Sequence, residues 1–189
     1  IMNQTGLSYN YMRLTDLAMN YYTKALDIAQ KNNLNEEEAI LCNNIASIFQ
    51  TQKKYDESDS LFKRAIIINE ELKVPQRLFV NYNNLSVNYA HKKDYNKALE
   101  YAFLAVHQLD AARDSDMIIL MQRNIGSIYL KQKEPRMALQ LLKQVEDYQL
   151  KHHQEYYLTG TYLIMTNVYN LLEQKEMVGS YLKKALALS

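Results

Sequence analysis

The sequence is poor in residues that make turns and in residues that cross-link chains. Its 189 residues include four glycines, two prolines, one cysteine and no tryptophan. So few glycines and prolines argue against an all-β fold, which needs many turns. The single cysteine, Cys42, cannot form an internal disulfide, which suits a reducing compartment, and we therefore expect a cytoplasmic location.

Charge and hydropathy argue against two further classes of protein. The chain has 22 basic and 21 acidic residues, so its net charge of +1 creates no strong field for nucleic acid or an anionic membrane. The sequence has no uninterrupted apolar run of about 18 residues, the length that predicts a membrane-spanning helix. We therefore expect neither nucleic acid nor a membrane among the partners of this segment.

The main positive feature is a repeat with a constant spacing. Similar segments begin at Asn43 (NNIASIFQTQKKYDES), Asn83 (NNLSVNYAHKKDYNKA) and Arg123 (RNIGSIYLKQKEPRMA). Rows of this length align a column of small residues at Gly6, Ala46, Ser86, Gly126 and Thr166. An aromatic column follows at Tyr9, Phe49, Tyr89, Tyr129 and Tyr169. Such in-register columns, with a period of about 40 residues, indicate a repeat architecture.

Each row is predicted to form two helices. Apolar columns separated by three or four positions share one face of a helix. Pro75 and Pro135 fit the first turn of a helix, where a missing N–H is tolerated. The small column would allow the two helices of a row to approach closely, and the rows would then stack on one another. We predict helices near residues 1–12, 15–31, 36–51, 55–72, 75–91, 95–111, 115–131, 135–151, 154–172 and 175–188.

Two segments carry a resemblance to a known family. NIGSIYLKQKEPRMALQLLKQV and NLSVNYAHKKDYNKALEYAFLAV resemble the tetratricopeptide repeat (TPR), and the resemblance extends over the whole chain. It implies an all-α, right-handed superhelical solenoid of antiparallel helix pairs, whose first helices line a concave peptide-binding surface. The implied single array spans residues 1–189, with repeats at about 1–34 (truncated), 35–74, 75–114, 115–153 and 154–189.

The spacing of the rows is longer than the family's usual spacing, and this refines the resemblance. It is similar to the branch found in kinesin light chains, Pins/LGN adaptors and bacterial regulators of the Rap and PlcR type, called the long-spacing branch below. A HEAT-like solenoid, whose rows have a similar length, is the alternative fold, although the spacing between the tyrosine and alanine columns argues against it.

Asparagines recur at the start of the repeated segment. Asn44, Asn84 and Asn124 form one column, preceded by Asn43, Asn83 and Arg123. A carboxamide carries a donor and an acceptor side by side, as the backbone of an extended peptide does. We interpret the column as a ladder that grips a peptide, as in the long-spacing branch. In the alternative interpretation the asparagines bond to each other or to the neighbouring helix and stiffen the stack.

Other residues of the first helices are predicted to line the same groove. They are Ser47, Gln50, Val87, Ala90, His91, Ser127, Leu130, Lys131, Asn167 and Asn170. We also expect Tyr82 and Tyr162 to be partly exposed and able to stack on a ligand. Arg123 is a candidate anchor for one acidic group, although a solvated or internally paired arginine is the simpler interpretation.

Nothing in the sequence predicts catalysis, a metal site or a cofactor. The adjacent His152 and His153 would point about 100° apart on a helix, which does not make a metal site. Cys42 lies in an apolar stripe and is predicted to be packed in the core. No glycine-rich phosphate loop or paired-carboxylate motif is present. We therefore predict a protein that is not an enzyme.

The chain is predicted to be part of a longer protein. Its first row is incomplete, and Leu182, Ala185, Leu186 and Leu188 would lack a covering neighbour. Such an end can lead to an end-to-end homodimer. The function we expect is a protein-interaction module that binds an extended peptide or a partner helix. The alternative is a sensor segment of a bacterial transcription regulator or signalling protein whose effector domain lies elsewhere.

Overall fold

The structure is a computed structural model that describes residues 2–11, 14–110 and 112–188. The described residues form helices throughout and no strands, so the fold is an all-α helical repeat. The helices are α1 (Met2–Tyr11), α2 (Thr15–Lys31), α3 (Asn35–Thr51), α4 (Tyr55–Glu71), α5 (Pro75–His91), α6 (Tyr95–His107), α7 (Ser115–Lys131), α8 (Pro135–Lys151), α9 (Glu155–Leu171) and α10 (Lys175–Ala187).

Within the described residues, the predicted helices agree with these bounds to within a residue or two, except at the end of α6; the predicted positions 1, 12 and 111 lie outside the described residues. That helix ends at His107, whereas we predicted residue 111. The side chain of Asp110 accepts hydrogen bonds from the backbone N–H groups of Ala112 and Arg113, at 2.9 and 3.3 Å. An aspartate that bonds to nearby backbone in this way offers the chain an alternative to the helix.

One type of turn explains the spacing of the rows. A row such as α3 and α4 consists of two helices of 17 residues, each followed by a turn of three. In the turn after α3, Lys54 N donates to Phe49 O at 2.9 Å and Lys53 N donates to Gln50 O at 3.0 Å. This is the Schellman motif. Its central residue has positive φ, and such residues recur at Asn33, Lys53, Lys73, Lys93, Lys133, His153 and Glu173.

The small column lies where the two helices of a row meet. A Cβ atom on Gly6 would lie 2.5 Å from Cε1 of Tyr22, and one on Gly126 would lie 3.1 Å from Cγ of Leu142. Ser86, in the same column, donates its hydroxyl to the carbonyl of Ala98 at 2.8 Å. Small side chains are therefore needed at these positions because the facing helix is too close for larger ones.

The chain divides into a first unit, residues 1–108, and a second unit, residues 109–189. The first unit contains α1–α6 and the second contains α7–α10, and each has its own core of aliphatic and tyrosine side chains. That all five rows form one array, and that the array is right-handed, stay predictions, as do the repeat boundaries. Among the described residues, no helix is both long and apolar enough to cross a membrane.

The end of the second unit differs in part from expectation. Leu182, Leu186 and Leu188 are exposed by 43%, 67% and 38%, as an uncovered end predicts. Ala185 is buried, so the prediction that it lacks a covering neighbour was wrong. It belongs to the core cluster that contains Tyr162 and Tyr181, on the face of α10 that packs on α9.

Candidate functional site

The predicted groove residues all lie on α3, α5, α7 and α9, the first helices of their rows, and none of them is buried. Those that are half-buried are Asn43, Asn44, Ser47, Gln50, Asn83, Asn84, Val87, Ala90, Arg123, Ser127 and Leu130. Those that are exposed are His91, Asn124, Lys131, Asn167 and Asn170. Within each unit, the first helices therefore present a largely polar strip to their surroundings.

Three asparagines form a relay of hydrogen bonds in the first unit. Asn69 Nδ2 donates to Asn81 Oδ1 at 2.9 Å, and Asn81 Nδ2 donates to Asn43 Oδ1 at 3.0 Å. Asn69 and Asn81 are each only 1% exposed, so the relay runs from the interface between two rows to the half-buried Asn43. Asn43 thus helps to hold α3 against α5.

The second unit has a related contact at equivalent positions. Thr161 donates its hydroxyl to Oε1 of Gln149 at 2.8 Å, and both side chains are fully buried. Gln149 lies two rows after Asn69 in the same column, and Thr161 lies two rows after Asn81. Our sequence analysis missed these four residues. The available signal was that the two positions are polar together in these rows and apolar together in the row between them, which has Leu109 and Met121.

Gln50 is occupied by contacts between rows. Its Nε2 donates to Oδ1 of Asn88 at 2.7 Å and to the backbone oxygen of Asn84 at 3.1 Å. Asn88 in turn donates to Asp59 at 2.7 Å, and the ammonium of Lys92 lies 3.0 Å from the same carboxylate. Asn88 and Asp59 are buried, so this network links α3, α4 and α5. The amide of Gln50 therefore contributes to packing.

The ladder itself contains both bonded and unbonded amides. Asn44 Nδ2 donates to Asn3 Oδ1 at 3.1 Å, which joins α3 to α1. In the part of the chain that the structure describes, the remaining amides of the polar strip have no hydrogen-bond partner; they belong to Asn83, Asn84, Asn124, Asn167 and Asn170. This second group has its donors and acceptors available for a ligand.

Arg123 takes the place of an asparagine in the second unit. Its Nη1 lies 3.3 Å from where a Cβ atom on Gly160 would be, so the absence of a side chain at Gly160 leaves room for the guanidinium. Within residues 112–188, Arg123 forms no ion pair. The half-buried guanidinium is therefore available to an acceptor outside the chain.

The tyrosine prediction was wrong. Tyr82 and Tyr162 are 8% and 4% exposed and cannot offer a ring face to a ligand. Tyr82 donates its hydroxyl to Glu70 at 2.8 Å, and its ring stacks on Tyr101. Burial, with the Glu70 contact, raises the pKa of Tyr82 to about 12. Both rings fill space between helices because their slot faces a second helix of the repeat.

The remaining candidates for chemistry are placed as follows. Cys42 is 1% exposed, as predicted, and burial raises the pKa of its thiol to about 11. A thiol with so high a pKa is a poor nucleophile at neutral pH. His152 stacks on Tyr148 with ring centroids 4.1 Å apart. Among the described residues, no group of three histidine, cysteine, aspartate or glutamate side chains could hold a metal ion.

Comparison with protein families identifies the repeat. Two family models described as tetratricopeptide repeat match the sequence, one over residues 36–102 and the other over residues 1–32, which is just over half of the chain. The chain belongs to the tetratricopeptide repeat family. TPR domains are protein-interaction modules, typically non-catalytic, and this chain has the fold of such a module. No curated protein matches the sequence.

Solved structures share the TPR fold at low sequence identity. The kinesin light chain-like, nearly identical TPR-like repeats of Podosopora anserina superpose with a TM-score of 0.80 at 17% identity, covering 99% of this chain and 92% of that one. Aspartyl phosphate phosphatase F from Bacillus subtilis superposes with a TM-score of 0.77 at 16% identity, and the match covers 99% of this chain and 58% of that one. A Rap protein complexed with competence and sporulation factor superposes with a TM-score of 0.77 at 14% identity, and the match covers 99% of this chain and 52% of that one. The chain therefore spans little more than half of these last two proteins.

Proposed function

We propose that this TPR chain is a non-catalytic module that binds an extended peptide or a partner helix along its first helices. The observation that carries the proposal is the set of unbonded amides on those helices, from Asn83 and Asn84 in the first unit to Asn124, Asn167 and Asn170 in the second. Amides without internal partners are suited to the donors and acceptors of a peptide backbone.

The strength of such binding follows from the number of contacts. Each hydrogen bond to a peptide contributes roughly 0.5–1.5 kcal/mol net. A few amides thus fall well short of the ~8 kcal/mol of a micromolar complex. Side chains such as Val87, Ser127 and Lys131 must supply the rest, and this strip is small and mildly polar. We therefore expect weak to moderate affinity, with Arg123 favouring an acidic group on the ligand.

A peptide array followed by titration tests the proposal. The whole chain is incubated with an array of unrelated peptides, and the best binder is titrated by fluorescence anisotropy. The variants Asn84→Ala and Asn124→Ala are compared singly and together, and the double variant should bind about tenfold more weakly than the wild type. Asn20→Ala on α2 and Gln140→Ala on α8 are matched controls, because both are amides on second helices, away from the strip. An unchanged titration curve for the double variant would refute the ladder.

A second candidate is a sensor segment of a larger regulator. It is favoured by the likeness to the Rap protein that was solved with competence and sporulation factor, of which this chain covers about half. A helix-turn-helix or kinase region adjoining these repeats in the gene would support this function. Further repeats alone would support a scaffold.

The proposal also includes a location and excludes two partners. We place the protein in the cytoplasm because its one cysteine is buried and unpaired. Nucleic acid and membranes are not proposed as partners, because the net charge is only +1.

An end-to-end homodimer through α10, where Leu182 and Leu186 are exposed, is proposed as a second interaction of the chain. A monomer at all concentrations in sedimentation would contradict it.

A further inference from the structure

A cavity between α3, α4 and α5 lies beside the polar strip of the first unit. It has a volume of about 160 Å³, and its lining includes Asn43 of the strip together with Ile40 of α3 and Val80 of α5. Ile40 is half-buried and Val80 is 41% exposed, so the cavity is open to solvent at these two aliphatic side chains.

The surface that a ligand meets in this cavity is mainly aliphatic. Asn69 and Asn81 also belong to the lining, but each is only 1% exposed and the two amides are bonded to one another, so a ligand does not reach them. The guanidinium of Arg77 is paired with Glu36 and brings no uncompensated charge. An apolar group gains free energy on entering such a place, whereas a charged group would lose its hydration without gaining a partner.

The volume of the cavity limits the size of the occupant. An engineered apolar cavity of about 150 Å³ is large enough for benzene. The present cavity has a similar volume, so it can hold the four side-chain carbons of leucine or isoleucine. A phenylalanine side chain, which is larger than benzene by one carbon, exceeds that limit, and so does the indole of tryptophan.

The equivalent place in the second unit is occupied by the chain itself. Arg123 and Gly160 lie two rows after Asn43 and Val80 in their columns, and Nη1 of Arg123 lies 3.3 Å from where a Cβ atom on Gly160 would be. In the first unit, Asn43 is shorter and its Oδ1 is held by Asn81. The two units therefore offer a ligand different contacts at this position, a cavity in the first and a cation in the second.

We infer that the cavity of the first unit is a subsite for a branched aliphatic side chain, that of a leucine or an isoleucine in the bound peptide. This side chain packs on Ile40 and Val80, and the peptide backbone beside it lies along the strip, where Nδ2 of Asn43 remains a donor. The peptide as carrier rests on the proposed function. The preference for an aliphatic group rests on the cavity alone.

Titration of the whole chain with amino-acid amides tests the inference. The methyl signals of Ile40 and Val80 are followed by NMR as N-acetyl-leucinamide is added, and both should shift in a saturable manner. N-acetyl-asparaginamide has nearly the same shape but a polar end, and it should bind at least about tenfold more weakly. Val80→Phe, which fills the opening, should abolish the shift of Ile40. Ile67→Phe, at a 50% exposed position outside the cavity, should retain it.

A second variant separates a change in the cavity from a general effect on folding. Val80→Ala widens the opening without adding any group. In the wild type, N-acetyl-leucinamide should bind more tightly than N-acetyl-phenylalaninamide, and in Val80→Ala this order should reverse. An unchanged order in the variant would contradict the assigned position of the side chain.

The outcomes separate this inference from the proposed function. Equal shifts with N-acetyl-asparaginamide, no saturable shift with N-acetyl-leucinamide, or binding that survives Val80→Phe would overturn the subsite. If N-acetyl-leucinamide binds while no array peptide does, the subsite stands and the proposed function fails. If an array peptide depends on Asn84 and Asn124 but is indifferent to Val80→Phe, the proposed function stands and the subsite fails.

Discussion

Replacing Asn81 by alanine should destabilise the first unit much more than replacing Asn43. Asn81 accepts from Asn69 and donates to Asn43, at 2.9 and 3.0 Å, and is 1% exposed. Its removal leaves the whole amide of buried Asn69 without a partner, which costs roughly 1–3 kcal/mol, and removes a second bond worth roughly 0.5–1.5 kcal/mol. We expect a loss of roughly 2–4 kcal/mol in the free energy of unfolding.

Asn43→Ala is the matched comparison. It removes one hydrogen bond from a half-buried residue and leaves the bond between Asn69 and Asn81 intact. Nδ2 of Asn81 then loses its partner, but truncation at this half-buried position lets water reach that group, so we expect a smaller loss of roughly 0.5–1.5 kcal/mol. The free energy of unfolding is measured in urea by far-UV circular dichroism, and a change in midpoint at unchanged slope reports stability.

The double variant Asn69→Leu/Asn81→Leu tests the reasoning directly. Replacing both partners of a buried hydrogen bond by apolar groups of similar shape can be nearly neutral. It also removes the unpaired Oδ1 of Asn69. We therefore expect the double variant to be more stable than Asn81→Ala. The reasoning fails if Asn81→Ala lies within about 0.5 kcal/mol of the wild type, or if the double variant is the less stable.

Two further predictions concern an ion pair and a core side chain. A hydrogen bond from Arg64 Nε, at 2.9 Å, is the main cause that holds the pKa of Glu38 below its usual 4.5. The stabilisation from this ion pair is complete above pH 4.5 and is lost as the pH falls through the lower pKa that Glu38 has in the folded protein. Arg64→Met should therefore reduce the acid sensitivity of the urea unfolding midpoint. Lys31→Met, which removes the exposed ion pair with Asp27, should leave that acid sensitivity unchanged. Leu142→Ala, at a fully buried position, should lower the free energy of unfolding by roughly 2–5 kcal/mol. Leu182→Ala, at a 43% exposed position, should cost less than ~1 kcal/mol, and similar losses would contradict the assigned core.

The helices and the apolar columns could be predicted because they depend on periodicity. Spacings of three and four positions identify the buried face, and Pro75 and Pro135 begin α5 and α8 as expected. Periodicity does not say which polar residues are buried between rows. Asn69, Asn81 and Asn88 are polar, and their burial depends on partners that lie far away in sequence, on other helices.

Some of the predictions that failed concern residues whose burial is set by contacts with helices distant in sequence. Tyr82 and Tyr162 were expected to be partly exposed, yet second helices cover both rings. The early end of α6 depends instead on the local bonds of Asp110. A small cavity between α3, α4 and α5, lined in part by Asn43 and Asn81, could not be predicted at all, because it exists only where these three helices meet.

The Schellman turns have a consequence for how such a chain changes its length. The joint within a row after α3 and the joint between rows after α4 are alike, so duplication or loss of one whole row leaves the surviving joints unaltered where the breakpoints fall at turns of this type. The segment between α6 and α7, with its bonds to Asp110, is built differently. The buried polar partners are not alike, since Asn69 meets Asn81 whereas Gln149 meets Thr161. A row moved to another position in the chain would therefore still form its helices and turns, but its buried polar side chains would lack their partners on the adjacent row. The buried polar contacts thus fix the order of the rows.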